Sequence, residues 1–170
     1  MIDLYFWTTD NGYKARQGME ESGLPYKIKI VNIRNKEQFA PDYLKISPGH
    51  KIPAIVDPNG PGGQRITLCE SGAILKYLGE KSGKFYPSDA AARVNVDQWL
   101  FYGSATFTTL AQQYGFFWLR NPEVVPAAKK HYGEEANIVV NIDREDGSIH
   151  ATNEGVVLDS EETVGRIGAQ

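Results

Sequence analysis

Apolar residues fall first in short runs and later at helical spacing, and the change of period divides the chain into elements. Ile2 to Trp7 is an apolar run bounded by polar and turn-forming residues, the pattern of a buried strand. The segment TTDNG follows, and Asn11 as N-cap opens a helix over residues 12–22, with Gly23 in the C-cap place and Pro25 beyond. From Tyr26 to Ile33, Ile28, Ile30 and Ile33 alternate with Lys27, Lys29 and Asn32, which makes a second strand and closes a βαβ unit. Glu37 to Ile46 carries Phe39, Tyr43 and Leu44 at helical spacing, a short helix that Pro41 keeps irregular. Strands over Ile52 to Val56 and Arg65 to Cys69 flank DPNGPGGQ, whose turn residues predict an antiparallel hairpin. From Glu70, ESGAILKYLGEKSG places Ala73, Ile74, Tyr77 and Leu78 on one side of a helix that stops at Gly83.

The order β-α-β-α-β-β-α is satisfied by a mixed four-stranded sheet covered by helices. After KFYPSDAAA, Ser88 or Asp89 caps a long helix that runs to about Gln112, and a second helical piece covers residues 122–132. Beyond Gly133 the period returns to two. Ile138, Val140 and Ile142 alternate with polar or outward residues, Asp146-Gly147 supplies a turn, and Ile149 and Ala151 alternate again. The expected organisation is an α/β domain over residues 1–86, a partial helical region over 87–132 and a β-hairpin tail over 133–170.

Composition narrows the function classes. With 170 residues, 41% of them hydrophobic, the chain can bury a core without staples. Its single cysteine, Cys69, has no partner in the chain and no CxxC motif exists, so it reads as a small core residue in a reducing compartment. No basic stretch precedes an apolar run at the start, and nothing approaches the roughly 18 apolar residues of a membrane helix, so the cytoplasm is the expected location. The net charge of -3 argues against a nucleic-acid surface, yet it conceals an asymmetry. Residues 1–130 hold 16 Lys and Arg against 12 Asp and Glu, a balance of +4, whereas residues 131–170 hold 2 against 9, a balance of -7.

Three constellations carry chemistry. In HKIPAIV, Pro53 opens a strand after a loop, where a cis bond would expose the backbone of Ile52 to an extended peptide ligand; an ordinary trans proline on an edge strand is the alternative. Glu70 and Ser71 stand at a helix start, where free N–H groups and the positive dipole end attract a carboxylate, or where they form a plain cap. Thr8-Thr9-Asp10-Asn11 forms the turn after the first strand. A hydroxyl or amide there, with a helix N-terminus behind it, would stabilise a thiolate and lower a thiol pKa from about 8.5; a plain capped helix is the alternative.

MIDLYFWTTDNGYK, NKEQFAPDYLKISPGHKIPAIVDPNG and CESGAILKYLGEKSGKFYP together resemble the bacterial glutathione transferases of the Nu class, including the disulfide-bond oxidoreductase type. The likeness is specific from Met1 to about Trp99 and holds in outline to about residue 126. It implies a thioredoxin-like domain with glutathione as cosubstrate, no metal, and a homodimer. It implies that Thr9 and Asn11 activate the glutathione thiol. Gln38 would then reach the glycyl or cysteinyl part and Ile52, before Pro53, would pair with the cysteinyl backbone. Glu70 and Ser71 would hold the γ-glutamyl end, and Lys51 is a candidate for the glycyl carboxylate. Asp10 stands where the family commonly has proline and adds a negative charge near the thiolate, although the helix dipole favours an anion there. Past Pro126, KKHYGEEA, the IDREDG turn and the closing GRIGAQ resemble part of the N-terminal domain of the transcription factor NusA, which implies a fused chain.

The leading expectation is therefore an enzyme that ionises glutathione and directs it at a disulfide, a peroxide or a small electrophile. The alternative is a non-catalytic glutathione-binding or interaction domain with a truncated helical region. A third is a transcription-factor fragment carried by the tail, whose acidity speaks against direct RNA contact.

Overall fold

The computed structural model describes residues 1–136, 139–142 and 149–152. Strand β1 (Ile2–Phe6) leads to helix α1 (Asp10–Ser22), β2 (Tyr26–Ile30), a short α2 (Pro41–Leu44), β3 (Ala54–Asp57), β4 (Ile66–Cys69) and α3 (Ser71–Ser82). The sheet order is β2-β1-β3-β4, with β1 and β2 parallel and the other two pairings antiparallel. This is the thioredoxin-like arrangement expected from the order of elements, with the βαβ half and the hairpin half meeting at β1 and β3.

The core explains the alternation in the sequence. Ile2, Leu4 and Phe6 of β1 turn to the face shared by Ala15 and Met19 of α1 and Ile74 and Leu78 of α3, with Ile55 of β3 between them. Each of these larger side chains contributes about 1.5–3 kcal/mol on leaving water. The opposite face takes Tyr5, whose ring packs against buried Tyr43 of α2 at 5.8 Å between centroids. Helices α1 and α3 approach closely because Gly18 has no Cβ; one added there would lie 2.5 Å from Leu75 Cδ2.

Several boundaries differ from the sequence expectation. The helix expected over Glu37 to Ile46 is instead a 3-10 turn at Glu37–Phe39 followed by α2, because Pro41 lacks an N–H and is accepted only at the first helical turn. Asn11 lies inside α1. The cap is Thr9, whose backbone is extended and whose Oγ1 accepts from Gly12 N at 3.2 Å. Strand β2 ends at Ile30, since Asn32 caps a 3-10 turn at Ile33–Asn35 through its own side chain.

Helix α4 (Ala90–Phe101) is capped by Asp89, which accepts from Ala92 N at 2.8 Å. It is tied to α3 where Lys76 Nζ lies 3.1 Å from the Asp97 carboxylate, which also accepts from the Tyr86 hydroxyl at 3.1 Å. The helix continues past the expected end near Gln112, widening to π-helical turns at Tyr102–Phe107 and Phe116–Arg120 on either side of α5 (Thr108–Gly115). Residues group into two compact units, Met1–Ser104 and the chain from Ala105. In the second, α6 (Pro126–Ala136) packs on α5, with Tyr132 stacked on Phe117 at 5.3 Å. Two antiparallel strands, β5 (Val139–Ile142) and β6 (Ile149–Thr152), follow. The turn expected at Asp146-Gly147 and the sequence from Asn153 onward lie outside the described residues.

Candidate functional site

The sheet register carries the three constellations to one end of the domain. Tyr5 pairs with Ala54, and Ala54 pairs with Cys69; β3 and β4 leave the sheet beyond this pair, and β1 leaves it one residue later, after Phe6 pairs with Ile30. β1 passes into the turn Trp7 to Thr9, β3 is entered from Ile52 and Pro53, and β4 passes through Glu70 into α3. Both α1 and α3 therefore begin at this end, and their positive dipole ends point to it.

The two helix starts differ in a way that matters. Thr9 caps α1 with its hydroxyl, but no side chain caps α3, so its first-turn N–H groups keep their capacity to bind an anion. Ser71, the first residue of α3, is buried. Glu70 before it is exposed and holds φ 73° and ψ 116°, a conformation rare for a residue with a Cβ and worth of order 1–3 kcal/mol of strain. Such strain persists where the surrounding structure holds the residue in place, and it clusters at binding and active sites.

The Ile52-Pro53 bond is cis, the alternative that leaves the Ile52 backbone open to a peptide. Pro53 is buried and Ile52 partly exposed. The loop ahead of them is held from below. The Tyr43 hydroxyl donates to the Lys51 carbonyl at 2.6 Å, the Ser47 hydroxyl donates to the same oxygen at 2.9 Å, and Lys51 N donates to Ser47 Oγ at 3.3 Å. Burial pushes the Tyr43 phenol up to about 12, against the Ser47 hydrogen bond that lowers it, so it remains a donor well above neutral pH. The Lys51 side chain is exposed.

Gln38 sits on the 3-10 turn before α2, and the neighbouring Phe39 ring packs on His50 at 4.8 Å, which joins that turn to the Lys51 loop. Its Oε1 is buried without a hydrogen-bond partner among the described residues, a costly state that a ligand donor would relieve. Asn11 is half-buried in the first turn of α1, and its Oδ1 accepts from Lys14 Nζ at 3.2 Å. Cys69 is a half-buried free thiol at the end of β4. No cluster of His, Cys, Asp or Glu suited to a metal occurs among the described residues.

The structure thus places Thr9, Asn11, Ile52, Pro53, Glu70 and Ser71 at one end of the sheet, with Lys51 adjoining and Gln38 linked through the Phe39–His50 contact. Sequence reasoning missed Tyr43 and Ser47 as supports of the loop. Tyr43 was legible only as an apolar position of a helix, and its hydroxyl partner is eight residues away. A groove of about 500 Å³ lies elsewhere, between α1, α3 and α4, and does not include these residues.

Fold and arrangement define a thioredoxin-like α/β domain. Residues 12–81 match the family model of the glutathione S-transferase N-terminal domain. Over 143 residues the chain is 39% identical to the disulfide-bond oxidoreductase YfcG of Escherichia coli strain K12, an alignment taking in 84% of this chain and 66% of that protein. A glutathione transferase family member from Pseudomonas fluorescens, solved with two glutathione bound, superimposes with a TM-score of 0.76 at 40% identity, over 80% of this chain and 61% of that one. The glutathione transferase of Pseudomonas putida, solved with one glutathione disulfide per subunit, gives 0.77 at 39%, over 80% and 60%. This chain carries a glutathione S-transferase N-terminal domain and is homologous to the bacterial disulfide-bond oxidoreductase. It spans less than two thirds of the length of each of these three proteins.

Proposed function

We propose that the protein binds glutathione and activates its thiol for attack on a disulfide, with peroxides and small electrophiles as further substrates. The observation that carries the reading is the uncapped N-terminus of α3, with buried Ser71 and strained Glu70, at the same end of the sheet as the Ile52 backbone and the α1 N-terminus. Ser71 and the first N–H groups of α3 bind the γ-glutamyl carboxylate, and Glu70 accepts from its amine. The Ile52 backbone pairs with the cysteinyl unit, Gln38 accepts a ligand N–H at its buried oxygen, and Lys51 meets the glycyl carboxylate. Thr9 and Asn11 donate to the sulfur, whose anion the α1 dipole favours.

The thiolate attacks one sulfur of a disulfide; the S–S bond breaks, a mixed disulfide forms and the other sulfur leaves as a thiolate. A second glutathione thiolate attacks the mixed disulfide, releasing the second substrate thiol and glutathione disulfide. Homologues solved with two glutathione and with glutathione disulfide support this sequence of steps. Placement in the Nu class rests on Thr9 at the N-cap of α1 and Asn11 in its first turn, where other thiol enzymes of this fold carry a cysteine. Homodimerisation has its support in the exposed apolar side chains of Val94, Trp99 and Phe101 on α4. A cytoplasmic location accords with a free cysteine, and no helix among the described residues is long and apolar enough to cross a membrane. The likeness of the tail to NusA rests on sequence alone, and no transcription role is transferred.

Calorimetric titration with glutathione tests the site. Ser71→Ala weakens binding by about tenfold or more, the equivalent of one hydrogen bond to a charged group. Affinity indifferent to Ser71→Ala removes the site. Glutathione-dependent reduction of a small disulfide and conjugation of an aryl halide then separate an enzyme from a binding module.

A further inference from the structure

Lys14 occupies a place that helix electrostatics disfavour. It lies in the second turn of α1, and its side chain leans back toward the N-terminus so that Nζ meets Oδ1 of Asn11 at 3.2 Å. That brings a cation to the positive end of the helix, where an anion is the favoured charge. Burial pushes the Lys14 pKa down, while the Asp10 carboxylate pulls it up. A residue that weakens its own helix in this way is the kind of local conflict that proteins carry at functional sites.

The contact also settles which end of an amide is available. With its oxygen held by the ammonium, Asn11 keeps the NH2 as the end that can donate to a sulfur. An amide released from the lysine can turn over and present its oxygen, which repels a thiolate.

We infer that Lys14 is a positioning residue for thiol activation: it holds Asn11 by the amide oxygen, reserves the N–H donors for the sulfur, and offsets the Asp10 carboxylate at the same helix end. The inference rests on the proposed role of Asn11. Lys14 also borders the groove between α1, α3 and α4, whose other ionisable groups are Glu21, Lys76 and Tyr86. Of these, Lys76 and Tyr86 are both engaged by Asp97, and the cation in contact with Asn11 is Lys14.

The ultraviolet absorbance of the thiolate of protein-bound glutathione, followed against pH, tests this in the wild type, Lys14→Met, Lys14→Arg and Asn11→Ala. Lys14→Met raises the pKa of the bound thiol by about half to one unit, roughly three- to tenfold less thiolate at a given pH below it. It lowers kcat for disulfide reduction while leaving KM for glutathione nearly unchanged, and Lys14→Arg restores both pKa and kcat. A wild-type titration in Lys14→Met, alongside a raised pKa in Asn11→Ala, overturns the inference and leaves the site standing. No shift in either variant, or no glutathione binding at all, overturns both. An equal loss of affinity for glutathione and for S-methylglutathione in Lys14→Met, with the pKa unmoved, makes the lysine a structural prop and also overturns it.

Discussion

The hydroxyl of Tyr77 lies 2.5 Å from Oδ2 of Asp57, joining the middle of α3 to the end of β3. Asp57 is buried at 2% exposure, and its carboxylate also meets Lys81 Nζ at 2.9 Å and the Asn59 N–H at 2.9 Å. The cluster fixes α3 along the strand that Ile52 and Pro53 lead into, and so sets where Ser71 stands relative to Ile52.

Burial alone would raise the Asp57 pKa, but the Tyr77, Lys81 and Asn59 donors together hold it below the ordinary value. A depressed carboxylate stabilises the fold above its unfolded pKa of about 3.9, and that stability disappears as pH falls through the lower folded value. Asp57→Asn therefore costs about 1–2 kcal/mol in urea unfolding at pH 7, since it weakens the charge-assisted hydrogen bonds from Tyr77 and Lys81, and the deficit shrinks below pH 4. A deficit that stays constant with pH would contradict this account.

On the proposed function, Thr9 has two tasks that substitution can separate. Its Oγ1 accepts from Gly12 N, which leaves the hydroxyl proton for a sulfur. Thr9→Ala costs about 1 kcal/mol of stability as a lost cap and raises the bound thiol pKa, whereas Thr9→Ser preserves both. Thermal melts paired with thiolate absorbance read the two effects independently.

The start of α1 admits no side chain at its third position. A Cβ on Gly12 would lie 2.1 Å from the Trp7 carbonyl oxygen, a backbone atom that cannot swing aside. Gly12→Ala destabilises by about 3 kcal/mol through forced backbone movement. Gly49→Ala, where nothing lies within 4 Å, is the control and leaves the melting temperature nearly unchanged.

Tyr43 supports the Lys51 loop through a phenol whose pKa is pushed up to about 12 by burial. A raised folded pKa means the stabilisation is full below the unfolded value near 10 and is lost as pH rises toward 12. Spectroscopic titration of the nine tyrosines should show late-titrating groups, of which Tyr43→Phe removes one while Tyr77, raised by burial and by its bond to Asp57, remains. The same variant loses about 1 kcal/mol of stability below pH 9.

The parts of the fold that depend on local pattern were legible in the sequence. Ile2, Leu4 and Phe6 alternate as a strand must, Gly23 and Gly83 stop helices in the left-handed conformation, and the β-α-β-α-β-β-α order admits few topologies. The position of the first cap was not, because Thr8, Thr9, Asp10 and Asn11 are all capping residues and the choice falls to the one whose backbone is extended. Asp57 was hidden for a different reason. It stands at the edge of DPNGPGG and reads as a turn residue, while its partners Tyr77 and Lys81 are 20 or more residues away on a helix. The Lys14–Asn11 contact spans only three residues, yet it was masked by the ordinary appearance of a lysine on an amphipathic helix.

On the proposed function, the uncapped start of α3 and the capped start of α1 divide labour between main chain and side chains. Affinity drawn from peptide N–H groups and a strand edge survives most changes of residue type, whereas reactivity drawn from a threonine and an asparagine can be rewritten by one or two substitutions. Such a scaffold can exchange one thiol chemistry for another, or fall silent as a reservoir for the tripeptide, while its hold on the molecule stays intact.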